Sequence, residues 1–158
     1  MGREVLRVPS GFDWPINMIW PGRMIGVCND MDKYINQDNK YDSCELCKKW
    51  GRLSGLMKAD EDGCPNLPYT DPPKGEAYQL WCTTTEGHPM SPAFDTPEEL
   101  AQWLFDNEVS SFGSSTESYE TWLKFIKGPG WAPSMVAGPA GIHSGVAEIS
   151  AQQNKESS

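Results

Sequence analysis

Residues 75–94, GEAYQLWCTTTEGHPMSPAF, decide the fold. From 77 to 83, Tyr78, Leu80 and Cys82 alternate with Gln79, Trp81 and Thr83. A period of two in a run rich in aromatic residues predicts a half-buried strand. Glu86-Gly87 supplies a turn, and Pro89 to Phe94 is the return segment. Pro89 and Pro92 have no amide proton to give a ladder, which confines that segment to a sheet edge.

Working outward, Thr96-Pro97-Glu98-Glu99 writes a helix start. Thr stands at the N-cap, Pro at the first helical position and Glu at the third, a capping box at the positive end of the helix dipole. Leu100, Trp103, Leu104 and Asn107 then recur at helical spacing, which predicts a helix over about 97–107. A second stripe of Tyr119, Trp122, Leu123 and Ile126 predicts a helix over about 116–127. Lys124 and Lys127 suit its last turn, and Gly128-Pro129 ends it. Ser134 to Val136 is a candidate return to the sheet. The expected fold class is α+β: a small antiparallel sheet, with its hairpin near 77–94, packed on two short helices.

The same stretch carries a resemblance. GEAYQLWCTTTEGHPMSPAFDTPEELAQWLFDN followed by FGSSTESYETWLKFIKGPGWAPS is similar to the C-terminal part of uncharacterised proteins of tailed bacteriophages, over roughly residues 71–136. RVPSGFDWPINMIWPG, residues 7–22, is a weaker echo of their start. Some of these relatives carry Cys-x2-Cys and then a Gly-x-Gly element. Here Cys44-x2-Cys47 is followed by KKWGRLSG, so the glycine spacing departs. The resemblance implies a phage origin and transfers no catalytic residue.

Upstream, residues 1–70 read as an irregular, cysteine-containing part. Pro9, Pro15 and Pro21 interrupt the apolar Phe12, Trp14, Ile16, Ile19 and Trp20. RMIGVC at 23–28 suits a short strand, and Leu46, Trp50, Leu53 and Met57 suit a helix weakened by Gly51 and Gly55. Residues 71–146 form the expected α+β core domain, and 147–158 a polar, disordered tail. No run is long and apolar enough for a transmembrane helix, and MGREVLRVPSGFDW lacks the apolar core of a secretory signal. The expectation is a protein of the host cytoplasm that contacts no membrane.

Cysteine is the main candidate chemistry. There are five cysteines, an odd number that argues against a disulfide framework in a reducing compartment. Cys44 and Cys47 have the spacing of half a tetrahedral zinc site, which Cys28 and Cys64 can complete. Zinc on these four would clip a segment poor in other constraints; ordinary reduced thiols are the competing reading. Cys82 falls on the strand and reads as a small buried hydrophobe. The two histidines, His88 and His143, fall in a turn and a glycine-rich segment. No nucleophile elbow, P-loop, zinc-protease helix or paired-carboxylate signature occurs, so the chain is expected not to be an enzyme.

Charge carries the remaining signal. The formal net charge is −9, and from Gly75 to Leu123 there is no Lys or Arg against nine carboxylates. Such a surface repels nucleic acid and draws basic partners. Solvated helix starts are the competing explanation, because carboxylates are favoured in first turns. If the two helices run antiparallel, Asp106 and Glu108 approach Glu117 and Glu120. These four are the candidate partner-binding carboxylates. Trp81 and Trp131, off both helical stripes, are the candidate apolar anchors. The leading expectation is an acidic, anti-CRISPR-like inhibitor of a host defence. It would occupy a basic surface on a CRISPR effector or another nucleic-acid-handling host protein, without binding nucleic acid itself. The alternative is a zinc-stabilised accessory factor in phage replication, transcription or assembly.

Overall fold

The computed structural model describes residues 2–18, 20, 71–83, 87–139 and 141–156. Nearly all of them belong to one unit, Met1–Met18, Lys74–Thr84 and His88–Ser158. A second unit, Ile19–Pro73 with Thr85–Gly87, contributes Trp20, residues 71–73 and Gly87 to the description. Within it the Trp20 amide donates to the Gly87 carbonyl at 3.0 Å. The strand expected at 23–28, the helix expected at 45–58 and the four candidate zinc ligands lie outside the described residues.

The fold is α+β. Strand β1 (Gly2–Val8) pairs antiparallel with β2 (Ala77–Thr83) along its whole length, Gly2 opposite Thr83 and Val8 opposite Ala77. Strand β3 (His88–Pro89) lies on the other side of β2, and β6 (Trp131–Ala132) on the other side of β1. The sheet order is β3-β2-β1-β6, so Pro89 sits on an edge strand as expected. Two of the expected boundaries need correction here. Residues 2–8 are an interior strand and not part of an irregular segment that ends at 70. The return to the sheet is made by Trp131–Ala132, while Met135–Gly138 (β7) pairs with Gly141–Ser144 (β8) in a separate hairpin.

Helix α1 (Pro97–Asp106) starts on the capping box read from the sequence. The Glu99 amide donates to Thr96 Oγ1 at 3.2 Å, and the Thr96 amide donates to Glu99 Oε2 at 3.2 Å. Helix α2 (Tyr119–Lys127) starts later than expected, because Ser118 is its N-cap and accepts from the Thr121 amide. Residues 115–116 instead form strand β5 (Ser115–Thr116), which pairs with β4 (Ser110–Phe112). The cap residue decides this start: Ser118 satisfies an amide of the first turn, which Thr116 cannot do from a strand.

A third helix, α3 (Gly145–Glu156), takes the place of the disordered tail expected from 147 onward, as far as the described residues reach. Its cap is Ser144, whose Oγ accepts from the Ala147 amide at 3.0 Å. It is held by packing, since Val146 and Ser150 are buried and Ile149 packs on the core. Ser150 Oγ donates to the Thr121 carbonyl on α2. The core joins Leu80 of β2, Leu100, Ala101 and Leu104 of α1, Trp122, Phe125 and Ile126 of α2, Ala132 and Val146. Trp103, expected at the centre of its stripe, is half-buried and meets the Phe94 ring at 6.2 Å.

Candidate interaction surface

Lys127 Nζ pairs with Glu98 Oε1, which joins the end of α2 to the start of α1. The helices pack against each other, so this pairing makes them antiparallel. The C-terminal end of α1 therefore shares one end of the helical layer with the start of α2, and the β4–β5 hairpin links them. Asp106, Glu108 and Glu120 are all exposed at that end.

The three arrive there for different reasons. Glu120 lies in the first turn of α2, where the dipole favours a carboxylate. Asp106 is the last residue of α1, and Gln102 Nε2 donates to it at 2.8 Å. Glu108 follows the Asn107 C-cap with φ of 48°, a left-handed backbone that is costly for any residue but glycine. Its amide donates to the Phe105 carbonyl at 3.1 Å, closing the helix end. No basic residue stands in the last turn of α1, so Asp106 and Glu108 face the negative end of a helix without a counter-charge there. Phe105, 48% exposed, lies beside them. A large apolar residue just outside the Leu100–Leu104 stripe was its only signal in the sequence.

Glu117 is half-buried, unlike these three exposed carboxylates. Ser111 Oγ and Ser144 Oγ both donate to its Oε1. Both serines are buried, and Ser144 is also the cap of α3. Glu117 therefore ties the β4–β5 hairpin, the approach to α2 and the start of α3 together. Its expected role as a partner-facing charge is corrected to a structural one, because two buried hydroxyls hold it.

Trp81 is corrected as well. It is fully buried, and its Nε1 donates to Gln79 Oε1 at 2.9 Å. Gln79, also fully buried, donates from Nε2 to the Ser91 carbonyl. An interior strand covered on both faces buries both halves of its alternation, so Trp81 has no outward side. Trp131 is 52% exposed on edge strand β6. It follows the C-terminal end of α2, at the opposite end of the helical layer from Asp106 and Glu120. Acidic end and tryptophan are thus two separate features.

Several other acidic residues have local work. Asp95 accepts from Ser10 Oγ, Glu76 faces Arg7, and Glu99 completes the α1 cap. The ion pair with Lys127 holds the Glu98 carboxyl below its ordinary range, helped by a backbone hydrogen bond, and raises Lys127 in turn. Inside the sheet, Arg3 is buried against Cys82 Sγ and the carbonyls of Ser110 and Gly2. Burial pushes its guanidinium below the usual range, partly offset by Cys82.

Among the described residues no group of three or more His, Cys, Asp or Glu is arranged to hold a metal ion. None of their helices is long and apolar enough to cross a membrane. No protein-family model, no curated protein and no solved structure matches the chain.

Proposed function

We propose that the protein is a non-enzymatic, acidic binding protein that docks the α1–α2 end on a basic protein surface. The observation that carries this reading is Glu108. It stands in a left-handed conformation at the negative end of a helix, where glycine or a cation would serve the fold better. Neighbouring Asp106 has the same unfavourable dipole position. Carboxylates kept where the fold is disadvantaged are explained by a partner that needs them. With the phage resemblance, the partner class is a host protein that handles nucleic acid, such as a CRISPR effector, and the site of action is the host cytoplasm.

Reversing Asp106, Glu108 and Glu120 to Lys tests it. Capture of a basic host protein from lysate should be lost, while the circular dichroism spectrum and melting temperature stay near wild type. Association of the wild-type protein should slow as salt shortens the Debye length from about 10 Å at 0.1 M. Capture that survives the triple reversal and ignores salt would overturn the reading. Trp131→Ala would then be the variant to examine.

We also propose zinc on Cys28, Cys44, Cys47 and Cys64, a proposal supported by the spacing alone. Protein purified without chelator should carry close to one equivalent by elemental analysis. The double variant Cys44→Ser, Cys47→Ser should carry none. Metal-free wild type would remove zinc from the account.

A further inference from the structure

At the other end of the helical layer, a cleft of about 420 Å³ is lined by Val5, Arg7, Tyr78, Ile126, Lys127 and the Gly128–Gly130 loop, with Pro97 at its margin. Two features make it unusual in a chain of net charge −9. Two cations, Arg7 and Lys127, share its lining, and the remaining side chains are apolar or aromatic.

The walls are built before any ligand arrives. Gly130, with φ of 64°, turns the loop so that its carbonyl accepts from the Val5 amide at 2.6 Å, and its own amide donates to the Phe125 carbonyl. Pro129 adds a wall without a donor. The Arg7 guanidinium lies over the Tyr78 ring, 3.8 Å from its centroid, which sets the plane of the fork. Arg7 Nη2 donates to the Glu76 carbonyl, and a carboxylate oxygen of Glu76 lies 3.4 Å away. Lys127 holds Glu98. The two carboxylates, Glu76 and Glu98, are exposed, so an incoming carboxylate can replace them at little cost in solvation.

We propose that this cleft binds a carboxylate carried on a flat aromatic body. The carboxylate would bridge Arg7 and Lys127, and the ring would lie against Val5 and the Gly128–Gly130 loop. The cavity falls in the size range of small-molecule sites. Arg supplies the planar fork that suits a carboxylate, and Lys a second, mobile donor. The site is distinct from the acidic surface at the opposite end of α2, so either proposal can fail alone.

The probes are 2-naphthoate and its neutral analogue 2-naphthamide, followed by protein NMR on the full chain. Naphthoate should shift the amide signals of Val5, Tyr78, Ile126 and Gly130, and naphthamide at the same concentration should not. Arg7→Gln and Lys127→Gln should each weaken naphthoate binding about tenfold, the loss expected for one charge-assisted hydrogen bond. Glu98→Gln should instead tighten it, because the competing carboxylate on Lys127 is gone; a gain in affinity cannot come from damage to the fold. Asp106→Asn should leave it unchanged. Equal binding of acid and amide, shifts elsewhere in the spectrum, or no tightening in Glu98→Gln would overturn the proposal.

Discussion

Glu108 concentrates the conflict between fold and surface in one residue. Its backbone is left-handed, and its side chain adds negative charge where the α1 dipole is already negative. Glycine would relieve both. Glu108→Gly is therefore expected to stabilise the protein by about 1 kcal/mol, because the Cβ penalty of the left-handed region disappears. Glu108→Ala keeps that penalty and should change stability far less. Chemical denaturation of both variants decides the matter; a Glu108→Gly protein that is less stable than wild type would show that the position carries no strain. The sequence supplied this residue's charge. It did not supply the torsion, which follows from where α1 stops.

Element boundaries follow caps wherever a cap is present. The α1 start was legible because Thr96 and Glu99 satisfy each other's backbone amides within one turn, a contact local in sequence. Across elements, the exposed Glu98–Lys127 pair joins the start of α1 to the end of α2. Its carboxyl is held below the ordinary range, so its stabilisation is present above the unfolded carboxylate value of about 4.3 and lost as pH falls through the folded value. The raised Lys127 contributes below its unfolded value of about 10.4 and loses that contribution as pH rises through the folded one. Both groups are solvent-facing, so the effect is small. Glu98→Gln should lower the melting temperature slightly between about pH 5 and 9, with the difference vanishing in strong acid. A difference that persists at acid pH would assign the loss to the helix start and not to the pair. Gly128 shows the opposite lesson. The sequence shows only that Gly128-Pro129 ends the helix; φ at Gly128 is −92°, and the fixed obstacle to a side chain there is the Lys124 carbonyl, 2.9 Å from where a Cβ would stand.

At the scale of the molecule, α3 and β1 close the fold from the two ends of the described chain. Val146 is fully buried and Ile149 packs on the same core, so α3 completes the apolar layer beside α2. Ending the chain after Ser144 should cost about 3 kcal/mol from that lost apolar burial and lower the melting temperature by about 10 °C. A melting curve that ignores the truncation would restore the disordered-tail expectation. Glu117 works at the same scale. Glu117→Lys should destabilise the protein by more than Glu120→Lys, because it leaves the buried hydroxyls of Ser111 and Ser144 without their shared acceptor. Thermal melts of the two variants compare them directly.

By itself the sequence determined the local features: the β2 strand with its edge-bound proline partner, the capped start of α1, the stop of α2 and the one-signed charge of 75–123. Each is set by residues within about one or two turns or a few strand positions of one another. The tertiary structure alone decided the rest. β1 became an interior strand through pairing with a segment some seventy residues away in sequence. A polar tail became a helix because Val146 found the core. Trp81 was buried because its strand is covered on both faces, and Glu117 was tied down by Ser111 and by Ser144, the second of them 27 residues away. Long-range pairing and burial leave no period in a single segment, so these could be read only once the chain had folded.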